Sequence, residues 1–376
     1  MRRRRGVCLA AFFAAAGCRD GGTARVLGAS AGSAGAASAG ASGTASGGTR
    51  GAPDLGPIPD CDPGTGPCPC GTIGCPCATG GACDQGTCDP FSRTCILVED
   101  GMVFVPGGPF FMGCLEGQDA DDYTGPCPQD ALPFREVTLD PFWIDRTEVT
   151  KAQYRACIDA GACSKPLFWD QEWCRLNPTR DDVTFVPAAP DMPAASINWT
   201  QAAEFCAWAG KRLPTEAEWE KAARGTDARK YPWGNTEPTC ELANHILYDP
   251  ASKEVRPCPW DYTDTIEPPG AFRSCTIIPV GYLPKGTSPD GALDMAGNVK
   301  EWVSDGYQWG VGYEDLPAEN PTGVPSDEYR VFRGGSFMYK SVSVSAYGLS
   351  TSFRNFAGIA DEILDRDQGF RCARDG

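Results

Sequence analysis

The sequence has almost no histidine, since His245 is the only one among 376 residues. A metal site with three histidine ligands is therefore excluded by number alone. A hydrolase with a serine–histidine–aspartate triad would have to use His245 as its base, and no nucleophile motif accompanies this residue. We therefore interpret His245 as a packed residue and not as a catalytic base.

Basic residues are also scarce, because 33 Lys and Arg face 49 Asp and Glu and give a net charge of −16. Nucleic acids and anionic membrane surfaces are bound by clustered Lys and Arg, so both are disfavoured as partners. The acidic excess favours solubility and leaves carboxylates available for hard cations such as Ca²⁺. Hydrophobic residues make up 41% of the chain, enough for a sizeable core.

No apolar run is long enough to span a bilayer, which takes about 20 residues. Near the N-terminus, four arginines at residues 2–5 precede an apolar run at residues 7–16, and Ala-Ala-Gly-Cys18 follows. This order is typical of an export signal with a small-residue cleavage site, and its end resembles a bacterial lipobox. We predict that residues 1–18 form the signal and that Cys18 is lipidated. The alternative is an ordinary secretory peptide in which this cysteine is incidental.

The export signal predicts a location in the bacterial cell envelope, in the periplasm or on the cell surface, with lipid as the membrane attachment. Twenty cysteines beside one histidine indicate disulfides formed in an oxidising compartment. A cytosolic zinc protein is the alternative, but an exported chain would oxidise such thiols. Setting aside Cys8 in the signal and Cys18 leaves eighteen cysteines, an even number that allows full pairing.

Composition divides the remaining chain into three parts. Residues 19–60 are rich in Gly, Ala, Ser and Thr and should form a flexible linker. Residues 61–98 carry eight cysteines and too few apolar residues for a core, which predicts a disulfide module. That module is either a small ligand-binding knot or a rigid spacer. Residues 101–376 have a globular composition and should form one domain.

Local patterns predict several elements in this domain. Apolar alternation and turn glycines predict strands, and these cover residues 102–106, 110–112 and 136–149. Threonine caps predict the starts of three helices, at Thr150, Thr200 and Thr215. The first and third caps have a Gln or Glu three residues later and therefore form capping boxes.

Five motifs follow one another along the domain. They are Cys206-Ala-Trp-Ala-Gly-Lys-Arg-Leu-Pro-Thr-Glu-Ala-Glu-Trp-Glu, Tyr231-Pro-Trp-Gly-Asn, Asp294-Met-Ala-Gly-Asn-Val-Lys-Glu-Trp, Arg333-Gly-Gly-Ser and Gly369-Phe-Arg-Cys. In this order they resemble the formylglycine-generating enzyme family, also called sulfatase-modifying factors. The resemblance covers nearly all of residues 101–376. It implies an irregular α/β (α+β) domain, related to C-type lectins and low in regular secondary structure.

The resemblance also implies two cysteines after the Gly-Gly-Ser turn, which in the family bind Cu(I) and oxidise a substrate cysteine. Here the matching positions hold Tyr339 and Val344. A phenol and an isopropyl group cannot replace two thiolates as soft ligands, so copper is not expected. Cys275 is the one unclaimed cysteine that could be imagined near the site, and no pattern places it there. Ser336 is interpreted as a turn residue, and Tyr339 either donates a hydrogen bond into the groove or fills it.

The resemblance further implies a disulfide between Cys206 and Cys372. Spacing suggests two local disulfides as well, Cys114–Cys127 and Cys157–Cys163. A long-range bridge would contribute most to stability, because the entropy removed from the unfolded chain grows with loop length.

A structural calcium ion is also implied by the resemblance. Its ligands would be the side chain of Asp294, the carbonyls of Gly297 and Val299, and the carboxylate of Glu301. Hard oxygen ligands around a glycine-containing turn suit Ca²⁺. The alternative is a plain Asx-type turn with Glu301 in solvent. Asn244 and the carbonyl of His245 resemble half of a second calcium site that lacks a partner carboxylate.

The sequence therefore predicts an exported, lipid-anchored binding module with this fold and without the copper site. The predicted binding groove lies near Ser336, Tyr339 and Arg354, and its partner would be a peptide, glycan or small molecule. One alternative is an oxidase or other protein-modifying enzyme with different metal ligands. Another is a calcium-stabilised spacer.

Overall fold

The computed structural model describes residues 73–78, 80–119, 126–166, 174–176, 184–185, 190–249, 254–258, 273–275, 277–337, 348–359 and 367–376. The predicted export signal with Cys18, the linker at residues 19–60, and both Tyr339 and Val344 lie outside these residues. All described residues belong to one unit, Asp54–Gly376.

Three α-helices occur in the described ranges, and each begins with a capping box. They are α1 (Lys151–Asp159), α2 (Trp199–Trp208) and α3 (Glu216–Arg224). Thr150 and Thr215 cap α1 and α3 as the sequence predicts. The prediction for α2 is wrong, because Asn198 and not Thr200 is its cap. The Asn198 side chain accepts from the backbone N–H of Gln201, and the Gln201 side chain accepts from the N–H of Asn198, which satisfies two free donors.

Short strands make up most of the remaining regular structure in the described residues. In the first half of the chain they are β1 (Thr87–Cys88), β2 (Cys95–Ile96), β3 (Val98–Glu99), β4 (Met102–Val105), β5 (Gly108–Met112), β6 (Arg135–Leu139), β7 (Phe142–Asp145), β8 (Cys174–Leu176) and β9 (Thr184–Phe185). In the second half they are β10 (Ile246–Asp249), β11 (Glu254–Pro257), β12 (Arg273–Cys275), β13 (Lys300–Gly306), β14 (Tyr329–Arg333), β15 (Arg354–Gly358), β16 (Gln368–Phe370) and β17 (Ala373–Asp375). Few helices and many short strands are what the family resemblance implied.

The strand predicted over residues 136–149 is two strands, β6 and β7, which belong to different sheets. Asp140 and Pro141 separate them, and a proline has no N–H to continue a ladder. β6 pairs with β5 in a hairpin, whereas β7 lies between β17 and β4 in the sheet β17-β7-β4-β3. The two strands predicted before them are present as β4 and β5.

A second four-stranded sheet, in the order β15-β14-β13-β16, positions the candidate site. β13 pairs antiparallel with β14 and parallel with β16, and β14 pairs antiparallel with β15. The register sets Lys300 opposite Gln368, Glu301 opposite Arg333, and Arg333 opposite Arg354. One end of this central sheet therefore collects the starts of β13, β15 and β16 and the end of β14.

The core lies between α3 and the two large sheets. Trp219 of α3 packs in one cluster with Phe110 of β5, Val303 of β13 and Val331 of β14. A second cluster surrounds Trp302 and includes residues from α1, α2 and β16. Every residue of α3 is buried, including its charged ones. The charged residues of α3 must therefore be paired inside the protein.

Six disulfides are present among the described residues. They are Cys77–Cys88, Cys83–Cys95, Cys114–Cys127, Cys157–Cys163, Cys206–Cys372 and Cys240–Cys258. The third, fourth and fifth are the pairs predicted from the sequence. Cys206–Cys372 joins α2 to the two-residue segment between β16 and the last strand, β17.

Candidate functional site

A tight glycine turn leads from β14 into the candidate site. Gly334 and Gly335 have φ angles of 83° and 64°, which favour glycine. A side chain at Gly335 would also collide with the carbonyl oxygen of Gly348. The turn therefore needs both glycines, and it places Ser336 at the end of the central sheet where Lys300 begins β13.

Ser336 is the first member of a buried polar cluster. Its hydroxyl donates to Oδ2 of Asp367, and Oδ1 of Asp367 lies 3.2 Å from Nζ of Lys300. The Lys300 ammonium also lies 4.6 Å from the centre of the Phe332 ring. All three polar residues are buried, so the charges of Lys300 and Asp367 compensate each other inside the protein.

The sequence interpretation of Ser336 as a turn residue did not include these partners. Lys300 stands within the motif that begins at Asp294, and Asp367 immediately precedes β16. Parallel pairing of β13 with β16 brings the two residues together. The signal that could have indicated them was an ionisable residue at the start of each of two buried strands, Lys300 as the first residue of β13 and Asp367 directly before β16.

The sequence predicted that Arg354 lies near the binding groove. In the structure its side chain is buried in a network of ion pairs. Its guanidinium donates to Oε2 of Glu216 at 3.0 Å, and Arg333 donates to Oε1 of Glu216 at 3.0 Å. Arg333 also pairs with Glu220, and the hydroxyl of Tyr313 donates to Glu216 at 3.0 Å. Burial raises the pKa of Tyr313 well above its ordinary value. The guanidinium of Arg354 is therefore already engaged by the protein.

The two segments predicted to bind calcium lie against each other. The N–H of Asn298 donates to the carbonyl of Asn244 at 2.8 Å, and the side-chain amides of these two residues are joined at 3.1 Å. Gly297 has a φ of 83°, and a side chain there would collide with the carbonyl oxygen of Asn244. Gly297 also donates its N–H to the carbonyl of Gly334 at 2.8 Å, which links this segment to the glycine turn.

Glu301 is not in solvent, contrary to the alternative considered from the sequence. It is fully buried, and its carboxylate accepts from Nε of Arg371 at 2.6 Å and from Nη2 at 2.7 Å. The indole N–H of Trp219 donates to the same carboxylate at 2.8 Å. Glu301 is therefore the partner of a buried arginine.

Glu148, a residue that the sequence reasoning missed, joins Asp294 and Glu301 around Arg371. Three buried carboxylates thus interact electrostatically with one guanidinium, and Glu301 is the one that contacts it. Burial raises the pKa of Glu148 well above its usual range, and the charges of Asp294 and Glu301 raise it further. Burial likewise raises the pKa of Asp294, which lies within hydrogen-bonding reach of Glu148.

The side chains around Asp294 offer oxygen atoms of the type that a hard divalent cation takes. Oε2 of Glu148 is buried and has no hydrogen-bond partner among the described residues, while Oε1 accepts from Asn298 at 3.1 Å. Oδ2 of Asp294 accepts from the N–H of Gly281 at 2.5 Å. Oxygen ligands and an excess of negative charge are chemically suited to Ca²⁺.

His245 is packed inside the protein, as interpreted from the sequence. It is buried, its Nδ1 lies 3.0 Å from the carbonyl of Ala243, and Sγ of Cys258 lies 3.8 Å away. Burial lowers the pKa of His245. Since Cys258 is bonded to Cys240, this region has no free thiol to act with the imidazole.

The backbone of Cys275 lies in β12, opposite Cys174 of β8, in the sheet β12-β8-β9. This three-stranded sheet is separate from the central sheet that carries Ser336. Of the helices in the described ranges, none has the length and apolar character needed to cross a membrane.

A mixed α/β domain with few helices, many short strands and a Gly-Gly-Ser turn at the end of its central sheet defines a formylglycine-generating-enzyme-like protein. The family described as "Sulfatase-modifying factor enzyme 1-like domain" matches residues 89–376. The chain belongs to this family.

Among its relatives is a formylglycine-generating enzyme from Thermomonospora curvata, which is 31% identical over 312 residues and covers 74% of this chain and 94% of the relative. A hercynine oxygenase from Mycolicibacterium smegmatis is 32% identical and covers 68% of this chain, which spans 57% of that protein's length. The structure of PvdO from Pseudomonas aeruginosa superposes with a TM-score of 0.51 at 25% identity, over 73% of this chain and 94% of PvdO.

Proposed function

We propose that the chain is an exported, lipid-anchored member of this family that does not form formylglycine and instead binds a peptide, glycan or small molecule. The observation that carries this proposal is that neither of the two positions of the family's thiolate pair holds a cysteine. Tyr339 and Val344 occupy the positions where the family resemblance requires cysteines. Every cysteine whose side chain is described is bonded in a disulfide. A Cu(I) site needs soft sulfur ligands.

The polar residues at the end of the central sheet support the same proposal. The charges of Lys300 and Asp367 neutralise each other, and the hydroxyl of Ser336 donates a hydrogen bond to Asp367. Such a cluster holds the glycine turn in place and offers no soft donor to a metal. A preformed frame of this kind suits binding, since a rigid site loses less conformational entropy when a ligand binds.

Enzymatic activity with other ligands is the second candidate. It is favoured by the relatives, since two of the proteins that this chain resembles are named as a formylglycine-generating enzyme and a hercynine oxygenase. The experiment below therefore measures both metal binding and turnover.

Purified full chain is titrated with Cu(I), and oxygen uptake is followed in the presence of a cysteine-containing peptide. We expect no stoichiometric copper binding and no turnover, because neither thiolate is present. The matched variant carries Tyr339→Cys together with Val344→Cys, and it is expected to bind one Cu(I) through its two sulfurs. Stoichiometric copper and peptide-dependent oxygen uptake by the unaltered chain would overturn the proposal in favour of an oxidase.

We further propose that a structural Ca²⁺ is held beside Asp294. Asp294, the carbonyls of Gly297 and Val299, and Glu301 are the ligands implied by the resemblance. Both oxygens of Glu301 accept from Arg371, so Glu148 is the neighbouring carboxylate that would replace it beside Asp294. The ion would neutralise the excess buried charge and fix the turn against Asn244.

Calcium should therefore raise the thermal unfolding midpoint. At a concentration of 100 times its dissociation constant, a ligand of the folded state alone adds about 2.7 kcal/mol of stability. Asp294→Asn should abolish the shift between EDTA and calcium buffers, and asparagine tolerates the φ of 58° at this position. The control is Asp315→Asn, at an exposed aspartate, which should keep the full shift. An equal calcium response in both variants would exclude Asp294 as a ligand.

A further inference from the structure

A cleft of about 370 Å³ opens beside β15, which is an edge strand of the central sheet. Its volume falls within the roughly 300–1,000 Å³ of typical small-molecule sites. The residues that shape it are Gln129, Asp130, Trp309, Arg354, Asn355 and Phe356. The polar cluster at Ser336 does not line this cleft.

Trp309 forms one wall of the cleft and is the most exposed large hydrophobic residue among those described. It is 80% exposed, whereas the next, Trp208 and Tyr282, are 43% exposed. An exposed indole forgoes the free energy of burial, and Trp309 is informative because its ring borders a cleft together with a second aromatic side chain, Phe356.

The aromatic rings of the cleft are held at a fixed angle. Phe356 stacks on Tyr307 with ring centres 4.0 Å apart and planes 10° apart. Trp309 meets Phe356 edge to face, at 5.8 Å and 81°. The stack is anchored, because the hydroxyl of Tyr307 donates to Oδ2 of Asp130 at 2.6 Å. Trp309 therefore stands nearly perpendicular to a rigid aromatic floor.

Polar groups border these rings. Gln129 is exposed at the cleft, and Asp130 is half-buried there. Their planar groups can each accept or donate to neighbouring hydroxyls of one ligand. The cleft thus combines an apolar flat face with hydrogen-bonding groups at its rim.

The charges in the cleft balance. Asp130 is the acidic residue that lines it and Arg354 is the basic one. Nη1 of Arg354 donates to the carbonyl of Asp130, and Nη2 donates to Glu216. Arg354 is neutralised by Glu216 and lies beside Asp130, so neither a phosphate nor a cation would meet an unpaired opposite charge in this lining. The lining therefore favours an uncharged ligand.

We propose that this cleft binds a neutral carbohydrate, with the C–H face of one pyranose ring on Trp309 and its hydroxyls bonded to Gln129 and Asp130. A pyranose has both of the surfaces that the cleft offers, a flat apolar face and a rim of hydroxyls that donate and accept. The site deepens the proposed binding function, on which it rests, and names its ligand class.

The full chain is titrated by calorimetry with maltotriose, cellotriose, chitotriose and mannotriose, and with choline and inorganic phosphate as charged probes. At least one neutral sugar should bind saturably, and Trp309→Ala should weaken that binding at least tenfold. This variant should fold normally, since the side chain is mostly exposed. Gln129→Ala should weaken binding several-fold, and Trp208→Ala, which removes another exposed indole outside the cleft, should leave it unchanged.

The proposal is overturned if no neutral sugar binds saturably up to about 10 mM, or if Trp309→Ala binds as the unaltered chain does. It is also overturned if choline or phosphate, and no sugar, binds in a manner that requires Trp309. These outcomes are independent of the copper titration, because Trp309 has no part in the missing thiolate pair. A failed sugar site and a failed non-catalytic function would therefore be recognised separately.

Discussion

Replacing Cys206 and Cys372 together with alanine is expected to lower the free energy of unfolding by about 5 kcal/mol. The bridge joins residues 166 apart, the largest separation among the described disulfides. In the chain-entropy model, a cross-link of this length removes much of the conformational freedom of the unfolded state. Urea unfolding of the oxidised double variant measures the loss, and replacing both cysteines leaves no lone thiol to exchange.

The matched control replaces Cys157 and Cys163 with alanine. Their separation is 6, for which the same model gives about 2 kcal/mol. All four cysteines are buried in the same apolar cluster, so the two double variants lose comparable packing. The difference between them therefore reports on loop length. Equal losses in the two variants would show that chain entropy is not the source of the stabilisation.

Local sequence patterns predict local structure well in this chain. Thr150 and Thr215 each have a Gln or Glu three residues later, and both cap the helices expected of them. The start of α2 was misplaced because Asn198 and Thr200 both offer a capping oxygen. Only Asn198 has a partner at the right spacing, Gln201, to complete the reciprocal pair. The rule was correct, but it was applied to the wrong one of two candidates.

The polar site could not be derived in the same way. Lys300 meets Asp367 because β13 and β16 pair in parallel, although they are distant in sequence. Glu148 meets Asp294 by an equally long-range contact. Neither pairing leaves a periodic signal in the sequence, because the two residues of each pair are far apart in the chain and meet only in the folded structure.

Glu301 shows what a resemblance can and cannot supply. The motif suggested that Glu301 is a calcium ligand or a solvated carboxylate. In the structure, the Glu301 carboxylate accepts hydrogen bonds from Arg371 and Trp219. Arg371 directly follows β16, the neighbour of β13, so the pair forms wherever these two strands align. The motif that contains Glu-Trp and the motif Gly-Phe-Arg-Cys are thus joined by this ion pair, which gives a structural reason for finding both in this chain.

Arg333→Met is expected to lower the free energy of unfolding by about 3–5 kcal/mol, the usual loss when one partner of a buried ion pair is removed. Arg333 is fully buried, and its guanidinium pairs with Glu216 and Glu220, which are also buried. It donates to the carbonyl of Thr351 at 2.7 Å as well. Methionine fills a similar volume but removes the guanidinium that the two carboxylates share, which leaves Glu216 with Arg354 and Glu220 with Arg224.

The control for Arg333 is Lys285→Ala, which breaks an exposed ion pair with Glu241. Solvent screens that pair, so its removal should leave the urea midpoint nearly unchanged. If Arg333→Met were equally mild, Arg354 and Tyr313 would suffice to hold Glu216, and Arg224 with the N–H of Gly113 would suffice to hold Glu220. Since Arg333 leads directly into the Gly-Gly-Ser turn, a large loss would instead make this buried network the support on which the candidate site rests.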